Sequence, residues 1–390
     1  MAKTTYKKKV INGKEYYFYR LRHKNLKSPK DLYGSTVKEL DSKIKSIINE
    51  LDNGIIIGKN TFENFFSDWL FDVHLINKKP STCERYEGLY RNYIKDSSIS
   101  DINIKDITLK DIQEYYSTLY KKGASISTLK NLNKLISPSI RYAYNNNMII
   151  KDFTRGIVLP SDTENNKLLK KSDVNPFSLD EQIIFLNAIK GNELETLFIT
   201  ALDSGLRQGE LLALTWNDID FDNECIYVNK TVKLVANVTR DGREKGKYLV
   251  QTPKSEKANR TVVIPAFLVK RLRQHRTQQL ENKLRYSNLY QDNTLVFCNQ
   301  FGKHLDSSKV RKVFKKVLED NKLKDRKFHD LRHTYATRLF ELGEEPKTVQ
   351  ELLGHSNISI TLDTYTHVLE SMKKKAVSKL NDLYTNMGVN

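Results

Sequence analysis

The stretch His329 to Gly343, HDLRHTYATRLFELG, pairs a group that can move a proton with a permanent cation. On a helix, positions three and four apart are neighbours, so His329, Arg332, His333 and Ala336 share one arc. Leu331, Tyr335, Leu339 and Leu342 fall on another arc, the expected core face. A histidine and an arginine aimed together suit a phosphate whose charge grows during reaction. Three further stretches carry chemistry. In SGLRQGELLALTW, Arg207 stands near a helix start, Glu210 is placed to hold its guanidinium, and Leu211, Leu212 and Leu214 point inward. YLVQTPKSEKANRTVVIP reads as a strand, a turn with Lys254, and a second strand, and Lys257 is an alternative to Lys254 there. In ELLGHSNISITLDTYTHV, His355 follows Gly354 at a helix end, and Tyr365 lies in a short following helix. Singly, each has an ordinary explanation: a surface ion pair, a solvated lysine, a packing tyrosine.

The elements that must position these residues divide the chain into domains. Residues 1–60 form a small unit. Asn12-Gly13 between two strand-like runs is a strong hairpin signal. A third short strand near Asp31 to Tyr33 follows, then a helix from Thr36 to Leu51. A sheet covered on one side by a helix leaves its other face free for a partner, with Lys7, Lys8, Lys9, Arg20, Arg22 and Lys24 as the expected contacts. GIIIGKN, Gly54 to Asn60, marks a boundary. Residues 61–160 are almost wholly helical. One helix spans Phe62 to Ile76, another starts at Pro80, and a third begins at Thr108 with a capping-box signature. A fourth runs from Ser127 to Asn145, where Pro138 must kink it or start a new piece. Residues 161–175 are polar and aperiodic, a linker. Residues 176–390 mix helices with strands and end in a tail, 371–390. The fold class expected is therefore multi-domain: a three-stranded β-sheet with a helix, an all-α domain, and a mixed α+β, mainly helical, domain.

The chain has 390 residues and a net charge of +18, which favours an anionic partner. Ten of the first 30 residues are Lys or Arg, against the single acid Glu15. Tyrosines and Phe18 are interleaved with them, which fits an ordered basic surface. Double-stranded DNA is the leading partner. A membrane is disfavoured, since no apolar run reaches about 18 residues and the first residues lack a secretory signal. Cys83, Cys225 and Cys298 are isolated, indicating neither disulfides nor a zinc site. The expected compartment is cytoplasmic.

The order Arg, Lys, His-x-x-Arg, His, Tyr, carried by SGLRQGELLALTW, TPKSEKANR, HDLRHTYAT and LLGHSNISITLDTY, resembles the tyrosine recombinases, the phage and transposon integrase family. The motifs span Pro176 to Val368. The helical segment fits that family's core-binding, SAM-like domain, and the basic N-terminal unit resembles the arm-binding domain of conjugative-transposon and phage integrases. The resemblance implies that Tyr365 attacks a scissile phosphate, giving a 3′-phosphotyrosyl bond and a free 5′ hydroxyl. Arg207 and Arg332 would bind the non-bridging oxygens, and Lys254 would protonate the leaving oxygen. His329 would give acid/base assistance, and His355 would hydrogen-bond the phosphate. Glu210 and His333 are expected to be supporting residues. The bond energy is kept in the covalent intermediate, so no cofactor and no metal is expected. The family implies a homotetramer on two DNA duplexes, with accessory directionality or DNA-bending proteins. The tail would dock on its own or a neighbouring subunit.

Three rivals are weaker. HDLRH approaches the zinc-protease pattern H-E-x-x-H, but Asp330 replaces the glutamate and no third ligand is evident. A non-catalytic DNA-binding protein explains the charge and leaves the catalytic series as coincidence. A type IB topoisomerase shares the chemistry but has no use for a second DNA-binding unit.

Overall fold

The computed structural model describes residues 6–24, 26, 28–52, 60–161, 174–252 and 259–365, with Val377 and Met387. Lys254, Lys257, most of the GIIIGKN boundary, most of the expected linker and the rest of the tail lie outside the described residues. No helix among those described is long and apolar enough to cross a membrane. The chain divides into two compact units. One takes in the described residues up to Ser161 together with Ala236–Lys245; the other takes in Val174–Val235 and the described residues from Gly246 onward.

The first unit begins with three antiparallel strands, β1 (Lys7–Ile11), β2 (Lys14–Leu21) and β3 (Lys30–Gly34), in the order β1-β2-β3. Asn12 and Gly13 both take positive φ, 47° and 76°, which closes the expected tight turn. Helix α1 (Val37–Asp52) covers one sheet face, burying Leu40, Ile44 and Leu51 against Leu21 and Leu32. Strand side chains alternate, so the pairing register sorts the basic residues. Lys7 lies opposite Phe18, Lys9 opposite Tyr16, and Phe18 and Arg20 opposite Tyr33 and Asp31. These residues share the face away from α1. Lys9 sits over the Phe18 and Tyr33 rings at 5.6 and 5.8 Å. Lys8 lies opposite Tyr17, whose ring packs with the α1 core, so Lys8 belongs to the other face and pairs with Glu15 at 2.9 Å. Arg22 and Lys24 are exposed just past β2.

Helices α2 (Phe62–Trp69), α3 (Pro80–Leu89), α4 (Leu109–Lys121) and α5 (Ile126–Asn145) follow. Both α2 and α3 continue through a wider π-helical turn, Leu70–His74 and Tyr90–Ile94. Thr108 and Asp111 form the expected capping box at the start of α4. Pro138 lies inside α5, which runs on as one helix past it. Phe62, Phe66, Tyr116, Leu132 and Ile136 are fully buried in this unit's main core. Ten residues from much later in the chain complete the unit. Short strands β7 (Val238–Thr239) and β8 (Gly242–Arg243) form a hairpin there. Arg240 pairs with Asp68 at 2.8 Å and Asp72 at 2.5 Å, and Arg243 pairs with Glu84.

The second unit opens with α6 (Leu179–Ala188), whose Ser178–Glu181 capping box sets its start, and α7 (Glu195–Ser204). The short α8 (Gln208–Leu211) precedes the strands. Helices α9 (Ala266–Tyr286), α10 (Ser307–Asp320), α11 (Asp330–Glu341), α12 (Pro346–Leu353) and α13 (Ile358–Thr364) complete it. Phe177, Phe185, Phe198, Phe314 and Phe328 form an aromatic core cluster, with Leu211, Leu212 and Leu214 buried in the same core as expected.

The structure departs from the expected arrangement at two places. The strands on either side of Lys254, β9 (Lys247–Gln251) and β10 (Arg260–Val263), expected to meet across a turn, do not pair with each other. Strand β9 pairs with β6 (Thr231–Val235), and β10 with β5 (Cys225–Val228), which also pairs with β4 (Ile219–Asp220). A long connection fixes no register, and the earlier strands offer apolar partners such as Val232 for Val250 and Ile226 for Val262. Leu342, placed on the core face of α11, is 80% exposed. It is the C-cap, and the chain turns away at Gly343, so helical spacing stops governing it. Arg332, Ala336 and Phe340 are buried instead, so the arc expected to be polar is interior too.

Candidate active site

The site is built where α7, α8, β10, α11, α12 and α13 meet. Helix α7 ends at Gly205, whose φ is +61° and where a Cβ would stand 2.4 Å from the Tyr335 ring. Only glycine meets both demands without strain. The chain then turns into α8 with Arg207 as its N-cap residue. Glu210 accepts from the Arg207 backbone N–H at 2.9 Å and from its Nη1 at 2.8 Å. One carboxylate thus caps the helix and orients the arginine, whose side chain is 39% exposed.

The same carboxylate accepts from Arg260 Nη2 at 2.9 Å, with both side chains only 6% exposed. Arg260 also donates through Nε to the Leu352 carbonyl at 2.8 Å. Arg260 stands within TPKSEKANR but has no role among the residues expected from the sequence. The available signal was an arginine heading the apolar run TVVI, a place where a charge needs a buried partner. Removing one partner of a buried ion pair costs about 3–5 kcal/mol. Arg260→Met should therefore lower unfolding free energy by about that amount in denaturant titration. A cost below about 1 kcal/mol would show that the pair is effectively solvated.

Arg332 is 2% exposed and donates from Nη1 to the Gly205 carbonyl at 2.8 Å and from Nη2 to the Leu353 carbonyl at 2.6 Å. It ties the end of α7 to the end of α12. Gly354 caps α12 in the left-handed region, and His355 follows, its Nδ1 at 2.8 Å from Thr361 Oγ1. Tyr365 is the C-cap residue of α13. It is fully buried, its ring lies on Phe340, and its hydroxyl is 2.8 Å from His333 Nδ1. The His329 and His333 rings meet edge to face at 4.9 Å. Arg207, Glu210, His329, Arg332, His333, His355 and Tyr365 are therefore gathered in one place.

Among the described residues, Arg207, Arg260 and Arg332 all act on Glu210, so positive charge outweighs negative around it. Burial would raise the Glu210 pKa, but the hydrogen bond from Arg260 and the charges of Arg260 and Arg207 hold it at about 2. Loss of water, then the charges of Arg332 and Arg207, lowers His329 to about 4 and His355 to about 3. His329 is nonetheless open to solvent on one side. His333 is lowered to about 4 by burial, then by His329, Arg332 and Lys327. Burial pushes the Tyr365 phenol above its ordinary value and lowers Arg332 to about 9, so the arginine stays charged near neutrality. The arrangement can grip an anion, and it holds three neutral imidazoles ready to accept or donate protons.

A stability consequence follows. The unfolded chain protonates a histidine near 6.5, whereas folded His355 resists until about 3. The unfolded state then binds more protons, so stability is fully present above 6.5 and is lost as pH falls through this range. The Glu210 contribution is lost only below 4.5. The melting temperature should fall between pH 6.5 and 4.5, and fall less steeply in His355→Gln. Equal slopes would show that His355 is not held neutral.

Residues 181–372 match the phage integrase family, and residues 61–120 match the phage integrase N-terminal SAM-like domain. The chain is 40% identical to a tyrosine recombinase XerC-like protein of Caldanaerobacter subterraneus subsp. tengcongensis, over 98% of this chain and 99% of that one. Its fold matches the Tn1549 transposon integrase in complex with transposon right-end DNA, with a TM-score of 0.62 and 22% identity over 81% of this chain and 99% of that one. It also matches a lambda integrase tetramer bound to a Holliday junction, with a TM-score of 0.53 and 17% identity over 91% and 97%. The chain belongs to the tyrosine recombinase family.

Proposed function

We propose that this enzyme is a site-specific recombinase of a mobile element, cutting and rejoining DNA through a 3′-phosphotyrosyl intermediate during integration and excision. The carrying observation is the buried Tyr365 hydroxyl, hydrogen-bonded to His333 and acted on by the charge of Arg332. Tyr365 attacks the scissile phosphate and releases a 5′ hydroxyl. Arg207 and Arg332 hold the non-bridging oxygens, and Glu210 keeps Arg207 extended toward them. His355 hydrogen-bonds the phosphate, and His329 gives acid/base assistance. By family resemblance Lys254 protonates the leaving oxygen. A different strand's 5′ hydroxyl then reverses the step, so joining needs neither cofactor nor metal. The test is covalent capture: a nicked duplex spanning the joined ends of the element should trap a protein–DNA adduct without added metal. A chain that binds this duplex and never forms the adduct would be a non-catalytic DNA-binding protein instead.

Assembly as a homotetramer on two duplexes is supported by the lambda integrase likeness. Residues 1–60, 61–160 and 176–390 act as arm-binding, core-binding and catalytic domains, with 161–175 as the linker before the last, which includes the 371–390 tail. Accessory directionality or DNA-bending proteins would act on the DNA, in the cytoplasm at the nucleoid. The open face of the N-terminal sheet, with Lys7, Lys9, Arg20, Phe18 and Tyr33, meets arm-type DNA. Removing one cation that neutralises a DNA phosphate reduces the salt slope of binding by about 1. Lys9→Ala should show that drop on arm DNA, and Lys8→Ala, on the helix side, should not. Equal drops would mean that the DNA does not lie on this face.

A further inference from the structure

The hydrogen-bond partner of the Tyr365 hydroxyl is neither member of the His329/Arg332 pair nor His355. It is His333 Nδ1, at 2.8 Å. His355 Nδ1 is taken up by Thr361 instead. We propose that His333 is the general base of cleavage, receiving the Tyr365 proton on Nδ1, and that substrate phosphate switches this base on. The proposal rests on the reading of Tyr365 as nucleophile.

The geometry sets one ring nitrogen against the reacting oxygen, with the imidazole ring centroid 5.8 Å from that of the phenol. With Nε2 protonated, Nδ1 accepts the phenol O–H. Among the described residues, the charged and titratable groups that act on His333 are His329, Arg332 and Lys327 from its own element and the turn before it, and Tyr365 and His355 from the C-terminal segment. Among them the permanent cations oppose a proton on the ring. Without DNA the imidazole is therefore a weak base, and burial keeps the phenol protonated. A phosphate held by Arg207 and Arg332 adds negative charge beside those cations and offsets them. The imidazolium then becomes acceptable, and the base strengthens only when there is a bond to cut.

The step balances. The Tyr365 Oη–phosphorus bond forms, and the bond from phosphorus to the 5′ oxygen breaks. The phenol proton moves to His333 Nδ1, and the leaving oxygen takes a proton from the general acid. On rejoining, the imidazolium returns its proton to Oη. His333 is thus a catalytic residue, beyond the supporting part given to it by sequence.

The test is single-turnover adduct formation by the full chain on the nicked duplex, as a function of pH. His333→Gln keeps volume and hydrogen bonding but cannot take a proton. It should slow cleavage by about 100-fold, within the usual range for a lost acid–base group. Its rate should rise with pH more steeply than the wild-type rate as solvent takes over. Replacing Tyr365 with 3-fluorotyrosine, a more acidic phenol, should help His333→Gln several-fold more than it helps the wild type. His333→Ala provides a second arm, since added imidazole should restore its cleavage. A wild-type rate in His333→Gln overturns the proposal. So does a slow variant in which neither fluorotyrosine nor imidazole gives selective rescue, because His333 would then only pack. Absence of the adduct in the wild type would instead overturn the recombinase reading itself.

Discussion

Tyr365→Phe is expected to abolish covalent capture of nicked DNA while leaving DNA binding and folding largely intact. The substitution removes one oxygen. The ring keeps its place on Phe340 and its burial, so packing changes little. The loss leaves His333 Nδ1 without its partner, worth about 1–3 kcal/mol if the nitrogen stays dry. Cleavage has no substitute nucleophile, because a phenyl ring cannot form a phosphodiester. The adduct should fall below detection in a denaturing gel, with the dissociation constant for the uncut duplex within about threefold of wild type. An adduct formed by the Phe variant would show that another residue attacks, and that the buried pose of Tyr365 belongs to the core alone.

Arg332→Ala is expected to carry the second largest effect, a loss of about 1000-fold in single-turnover cleavage, as for removal of a charged donor to a transition-state oxygen. Arg332 is also structural, since its guanidinium satisfies the Gly205 and Leu353 carbonyls. Folding and chemistry must therefore be read apart. Thermal melting should show destabilisation of about 1–3 kcal/mol for each carbonyl left unpaired, while cleavage falls far more than the folded fraction does. Arg332→Lys should rescue little, because an ammonium lacks the planar fork that spans both carbonyls. His333→Ala should cost less cleavage than Arg332→Ala, since solvent can replace a base more readily than a buried cation. The reverse order would mean that proton removal by His333, more than the charge of Arg332, limits cleavage.

Much of this protein was legible in its sequence wherever the controlling chemistry is local. The Asn12-Gly13 turn, the Thr108–Asp111 cap and the Glu210 hold on Arg207 each act within a few residues of chain. The order Arg, His-x-x-Arg, His, Tyr fixed the family for the same reason, because each motif is a short segment with its own element. Tertiary structure decided the rest. Arg332 reaches the Gly205 carbonyl across 127 positions, and Arg260 reaches Glu210 across 50. No periodicity reports such contacts. The partners of β9 and β10 depended on which earlier strands lay within reach. The hairpin at Ala236–Lys245 joined the first unit through ion pairs with residues more than 150 positions away. His333 gained its place beside Tyr365 because the Tyr365 ring, at the end of α13, packs on Phe340 of α11. Helical spacing sets the direction in which a side chain leaves its helix, and only the packing of a second element determines what it meets there.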